Sequence, residues 1–173
     1  MAKQTLPSVR AVTADNFDDF TKASKVVVVG FFDADDTKSS ETFLAIAKAH
    51  RDDFVFGATS DALIAEKEAV KRPGVIMYKT FDDPKTVSNV PFEQAALEDW
   101  TKSTSSPIIG AAPDDYGQYV DSGLPLAFIF AQPEGLENLK KELNPVARKF
   151  RGKMNFVTLN PEQYGGLATS INL

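Results

Sequence analysis

No cysteine occurs among the 173 residues, so a thiolate nucleophile is excluded. The same absence leaves the cellular compartment open, because secreted proteins can lack disulfides and cytosolic ones can lack thiols. Histidine is almost missing too: His50 stands alone, and no G-x-S-x-G accompanies it, so nucleophilic catalysis lacks its usual parts. His50 is expected to be a surface residue near a helix C-terminus, where a partly charged imidazole is favourable. No apolar run approaches the roughly 18 residues that a bilayer demands, which predicts a soluble chain with no membrane partner. Met1–Pro7 has no apolar leader core, so either the mature protein is cytosolic or the chain is part of a larger secreted one. A basic surplus is also lacking. The net charge of −5 argues against a nucleic-acid footprint, which needs clustered Lys and Arg.

What is present is an ordinary globular share of apolar residues, 43%, in a length between one domain and two. Ser8–Thr13 alternates like a half-buried strand, and Asp15–Phe20 places Phe17 and Phe20 at helical spacing behind a capping acid. Val26–Phe32 is a continuous apolar run of strand length, as expected for a strand covered on both faces. Thr42–Ala49 puts Phe43, Ile46 and Ala47 on one helix face. Phe54–Thr59 reads as strand, Asp61–Val70 as a capped helix and Gly74–Lys79 as a buried strand. Lys85–Val90 follows as the second arm of a hairpin. Glu93–Lys102 is amphipathic, with Ala96, Leu97 and Trp100 recurring, and Thr101–Pro107 reads as a polar linker.

After that stretch the pattern starts again. Pro107–Gly110 takes the place of the first strand, Pro113–Val120 of the first helix and Leu124–Ala131 of the second strand. A helix carrying Leu136, Leu139, Leu143, Val146 and Phe150 comes next, followed by the strand Met154–Leu159 and a short segment to Leu173. No counterpart of the Gly74–Trp100 hairpin and closing helix follows. An unfinished sheet leaves a strand edge and an apolar face uncovered, so self-association is expected, with the open edge near Met154–Leu159.

The order βαβαβαββα is that of a thioredoxin-like domain, an α/β fold in which helices flank a mixed sheet. Residues 1–104 are expected to form one complete domain, and residues 105–173 the N-terminal part of a second. Where such a domain presents Cys-x-x-Cys at a helix N-terminus, this chain has Asp36 and Ser39, so these vacant slots leave it without a catalytic residue. Lys3–Pro7, Gly74–Asp83, Trp100, Pro107–Gly110, Gly123–Phe130 and Phe150–Leu159 together resemble the second and third thioredoxin-like domains of the protein disulfide isomerase family, with junctions phrased as in fungal members. The resemblance implies a redox-inactive central region, flanking catalytic domains in the parent chain, residence in the endoplasmic reticulum lumen, and capture of unfolded or peptide clients without a cofactor. It also implies an apolar client site on one sheet face of the third domain, nearest to Phe130, Leu143 and Phe150.

Other readings are weaker. The clusters Asp33, Asp35, Asp36 and Asp82, Asp83 read as solvated turn and cap acids, since neither has EF-hand spacing, and no metal site is assigned. An acidic calcium-storage protein of calsequestrin type is the main alternative. Its demand for dense acidity fits poorly with 24 acids against 19 Lys and Arg. A glutathione-dependent enzyme would need an all-helical companion domain, which the second half is not. Pro73, just before a strand, is expected to be trans because Gly74 follows it and no reactive site lies beside it.

Overall fold

The apolar run at Val26–Phe31 becomes strand β2, and it is buried along its whole length. In the computed structural model, which describes residues 8–170, the chain divides between Ser105 and Ser106 into two compact units. The first contains β1 (Arg10–Ala11), α1 (Phe17–Thr21), β2, α2 (Thr37–His50), β3 (Val55–Thr59), α3 (Ala62–Lys67), β4 (Gly74–Lys79), β5 (Lys85–Val87) and α4 (Gln94–Ser105). Its five-stranded sheet has the order β1-β3-β2-β4-β5. Strands β1, β3 and β2 run parallel, whereas β4 pairs antiparallel with β2 and β5 with β4.

Period-two alternation sends successive β2 residues to opposite cores. Val26, Val28 and Phe32 join Phe43, Ile46, Leu97 and Trp100 on the face covered by α2 and α4. Val27, Val29 and Phe31 meet Phe17, Phe20 and Ile64 from α1 and α3 on the other. Gly30 falls among the even-numbered residues, where a Cβ would stand 2.8 Å from the Phe32 ring and 3.1 Å from that of Phe43. Only glycine lets those two rings pack over the strand.

Several expectations are corrected here. Thr101–Ser105 is not a linker but the last turn of α4, with Thr101, Thr104 and Ser105 buried. Thr101 Oγ1 donates to Leu97 O at 2.7 Å and Ser105 Oγ to Lys102 O at 2.9 Å, so these hydroxyls satisfy helix carbonyls. The buried Lys79 Nζ donates to Thr104 O at 3.1 Å, a cation at the negative end of the helix. His50 is likewise less exposed than expected, being half-buried. Its side chain is only 11% exposed, because α4 packs over the end of α2 and brings Glu98 Oε1 within 3.0 Å of Nε2. The Arg72–Pro73 bond is cis, not trans, as is Ala112–Pro113. An X–Pro amide favours trans by only about 0.5–1 kcal/mol, a margin that the surrounding chain can overrule. Helix α3 stops at Lys67, short of the expected Val70, because Ala69 turns to φ +53°. Val70 N then donates to Ala65 O and Ala69 N to Glu66 O, a closing motif that usually recruits glycine. The stretch Met1–Pro7 lies outside the described residues.

The second unit contains β6 (Ile109–Ala111), α5 (Tyr116–Asp121), β7 (Leu126–Phe130), α6 (Pro133–Lys149), β8 (Asn155–Leu159) and α7 (Pro161–Ser170). Its three-stranded sheet is parallel, in the order β6-β8-β7. This repeats the β1-β3-β2 half of the first sheet. The third strand in sequence therefore lies in the middle, which corrects the expectation of an open edge at Met154–Leu159. Among the described residues the strand with an unpaired side next to the break in the repeat is β7, and all five of its residues are only half-buried.

A polar cluster joins α3 to the hairpin of the first unit. Tyr78 Oη donates to Glu68 Oε2 at 2.8 Å, and Lys85 Nζ lies 2.8 Å from the same oxygen. Burial pushes the Tyr78 phenol upward, and its bond to Glu68 adds to this. Burial alone would raise Glu68, yet hydrogen bonds from Lys85 and Tyr78 outweigh it and hold the carboxyl below its ordinary 4.5. A depressed folded value stabilises the fold fully above the unfolded value and is lost as pH falls through the folded one. Tyr78→Phe is therefore expected to be less stable than the parent near about pH 6 and to approach it as pH falls toward about 3. Urea unfolding at both pH values reads this, and a gap independent of pH would contradict it. Trp100, only 8% exposed, anchors α4. Trp100→Ala is expected to cost about 3–5 kcal/mol in the same assay, followed by circular dichroism.

Candidate functional site

The loop between β2 and α2 is where a thioredoxin-like fold would hold its thiols, and here a carboxylate closes it. Asp36 is the N-cap of α2, and its Oδ1 accepts from the Ser39 amide at 3.0 Å. Hydrogen bonding from Ser39 holds the Asp36 carboxyl below its ordinary value. Ser39 itself is buried. The helix terminus that would lower a thiol pKa thus spends its dipole and one amide on its own cap. Beside it, Arg72 forms an ion pair with Asp33, tying the segment before β4 to the loop before α2, and Arg72 Nη1 donates to Ser60 O at 3.4 Å. Nothing in this corner can attack sulfur. The acids at 33 and 36 are engaged with their own chain, and Asp82 sits in the β4–β5 turn at φ +51°.

The apolar residues singled out in the second unit do not form one cluster. Leu126, Phe128 and Phe130 point from β7 toward Tyr119 of α5 and Tyr164 of α7, with Val157 and Leu159 beneath them. Leu143 lies on the opposite sheet face, against Ile108, Ile109, Ala147, Ile129 and Phe156. Phe150 caps α6 and is 42% exposed, its ring centroid 6.4 Å from that of Phe156. Leu143 and Phe150 therefore share the α6 side, and Phe130 stands across the sheet from them. Strand alternation explains the split, since Phe130 and Ile129 must face opposite ways.

Two features escaped the sequence reading as functional. Val146, 44% exposed, precedes Phe150 by four positions, so both belong to one ridge of α6. That i, i+4 spacing was visible, but its exposure was not. The second feature is the direction of the β7 backbone. Asn155 N donates to Pro125 O and Ala131 N to Leu159 O, so odd-numbered β7 residues bond to β8. The amides of Leu126, Phe128 and Phe130 consequently point to the unpaired side.

The thioredoxin-like domain family matches residues 32–173. A protein disulfide-isomerase of Humicola insolens is 43% identical over 175 residues, covering 100% of this chain and 35% of that protein. One from Arthroderma benhamiae is also 43% identical, with 100% and 34% covered, and one from Saccharomyces cerevisiae is 31% identical, with 100% and 33% covered. The chain thus spans about a third of the length of these relatives. Among solved structures, the bb fragment of ERp72 superposes with a TM-score of 0.66 at 19% identity, covering 97% of this chain and 80% of that one. Zinc-bound human ERp44 gives 0.65 at 19% identity, with 97% and 50% covered. At that identity these structures speak for the fold alone.

If Asp36 is the cap that closes the slot, Asp36→Ala should lower the melting temperature of the first unit while Asp36→Asn retains most of it. The loss should shrink on acidification, because a carboxyl held low in the fold contributes above its unfolded value and loses that contribution as pH falls through the folded one. Differential scanning calorimetry at neutral and acid pH checks this. Equal melting of parent and Asp36→Ala at neutral pH would contradict the assignment.

Proposed function

The chain belongs to the thioredoxin-like domain family, and we propose that it is the redox-inactive central region of a protein disulfide isomerase, which captures unfolded polypeptide for catalytic domains on either side of it in the parent chain. The observation that carries this reading is a thioredoxin-like scaffold whose nucleophile slot is filled by Asp36, the N-cap of α2. Capture by apolar contact makes no directional demand. At roughly 25 cal/mol per Å² before association costs, it suits weak binding of many sequences. Tethering then raises the local concentration of client cysteines near thiols that this chain does not itself carry. The first unit acts as the rigid spacer, and the endoplasmic reticulum lumen is the compartment in which such work is done.

Phe150, with Leu143 packed on the same side, is the main client contact in this proposal, and Phe130 contributes a second patch beside the free side of β7. That free side also offers a pairing partner to another copy of the chain. Leu126–Phe130 contains no charge and no proline to discourage such pairing, so self-association should rise with concentration. Sedimentation velocity across a wide concentration range tests it, and a monomer throughout would contradict it.

The capture reading is tested with a fluorescent, neutral, apolar peptide titrated against the full chain. Phe150→Ala is expected to weaken binding roughly fivefold, the equivalent of about 1 kcal/mol, with Phe130→Ala costing less. Neither parent nor variant should reactivate a scrambled disulfide substrate. An affinity unchanged by both substitutions, or turnover by protein free of contaminating isomerase, would overturn the reading.

A further inference from the structure

His50 is the only histidine in a chain without cysteine, so it is the one side chain whose ordinary titration falls between about pH 5 and 8. It ends α2, and each of its ring nitrogens faces a carboxylate. Nε2 lies 3.0 Å from Glu98 Oε1 of α4, and Nδ1 lies 3.6 Å from Asp53 Oδ2 in the turn after α2. That turn is fastened to the same residue, since the amides of Asp53 and Phe54 both donate to His50 O at 3.0 Å. The Phe54 ring completes the surroundings, its centroid 6.2 Å from that of the imidazole.

Other charged groups at this end of α2 are Lys48 in its last turn, Arg51 with Nε 3.9 Å from Asp52 Oδ1, and Lys102 of α4 with Nζ 3.8 Å from Glu98 Oε1. A neutral imidazole has one N–H and one lone pair, whereas the imidazolium has two N–H groups. Ionised carboxylates cannot donate. Between two of them the neutral ring therefore serves one and turns a lone pair toward the other, while the charged ring serves both. A positive charge at the C-terminal end of α2 also suits the helix dipole. When the ring is neutral, Lys102 still offers Glu98 a partner on its own helix, so what weakens is the tie between the two helices.

We propose that His50 is a proton-operated clasp between α2 and α4. Protonated, it joins Glu98 of α4 to Asp53 and the end of α2; its deprotonation loosens the seat of α4. Glu98 is well placed for this, next to Leu97 and two residues before Trp100, both buried in the core shared with α2. A contact made only by the charged ring is present below the range in which imidazole loses its proton and is lost as pH rises through it. The clasp is separate from the Tyr78 cluster, whose Glu68 carboxyl is held below 4.5 and stays ionised throughout that range.

Amide hydrogen exchange of the full chain tests it, read as protection factors for α4 from Leu97 to Thr101 so that the intrinsic effect of pH on exchange is removed. The parent is expected to protect these amides roughly threefold better near about pH 5.5 than near about pH 8, the size of one partly exposed charge pair. His50→Gln should lose that pH dependence, and Glu98→Gln should lose most of it, with circular dichroism unchanged in both. Equal protection of the parent at the two pH values would overturn the proposal. The same pH dependence in His50→Gln would overturn it too, since the proton would then act elsewhere. Loss of the dependence in His50→Gln with full retention in Glu98→Gln would place the contact on Asp53 alone and leave no clasp to α4, which also overturns it.

Discussion

The antiparallel pairing of β4 with β2 is the constraint on which the first unit depends. It runs the full length of β2, from Val26 opposite Lys79 to Phe31 opposite Gly74. With β3 on its other side, β2 has no free edge and can be apolar throughout. The hairpin also leads into α4, which brings Trp100 and Glu98 onto α2 and thereby half-buries His50. In the second unit the strand in the same position, β7, is paired by β8 alone among the described residues. The half-buried state of Phe128 and Phe130, and the exposure of Val146 and Phe150 on α6, accompany that single difference.

In the first unit Asp36 caps its own helix, Asp33 is paired with Arg72, and Glu68 is held by Tyr78 and Lys85. In the second unit the amides of Leu126, Phe128 and Phe130 point away from β8, and Val146 and Phe150 are exposed on α6.

Most of the architecture was legible because its signals are local. The apolar run at Val26–Phe32, the Asp61 cap, the helical spacing of Phe43, Ile46 and Ala47, and the restart after Pro107 each follow from periodicity or turn chemistry read over a few residues. What was missed depends on contacts between elements. Thr101–Ser105 looks like a linker until its hydroxyls and Lys79 are seen closing helix carbonyls. His50 looks exposed until α4 is laid over it. The open edge was misplaced because sequence order is not sheet order in a parallel βαβαβ unit, where the third strand enters between the first two. Phe130 faces away from Leu143 and Phe150, which sequence does not reveal because strand parity fixes which side chains share a face but not which helix covers that face. The vacancy at Asp36 and Ser39 was legible, since a helix start and a missing residue type are both sequence facts.

Amide hydrogen exchange of the full chain at low concentration tests the central claim most directly, by comparing β2 with β7 residue by residue. The account predicts slow exchange for all β2 amides from Val27 to Phe31. For β7 it predicts an alternation, with Ala127 and Ile129 protected by β8 and Leu126, Phe128 and Phe130 exchanging fast. Uniform protection of all five β7 amides, at rates comparable to those of β2, would contradict it, because the second unit would then have no backbone edge left to offer.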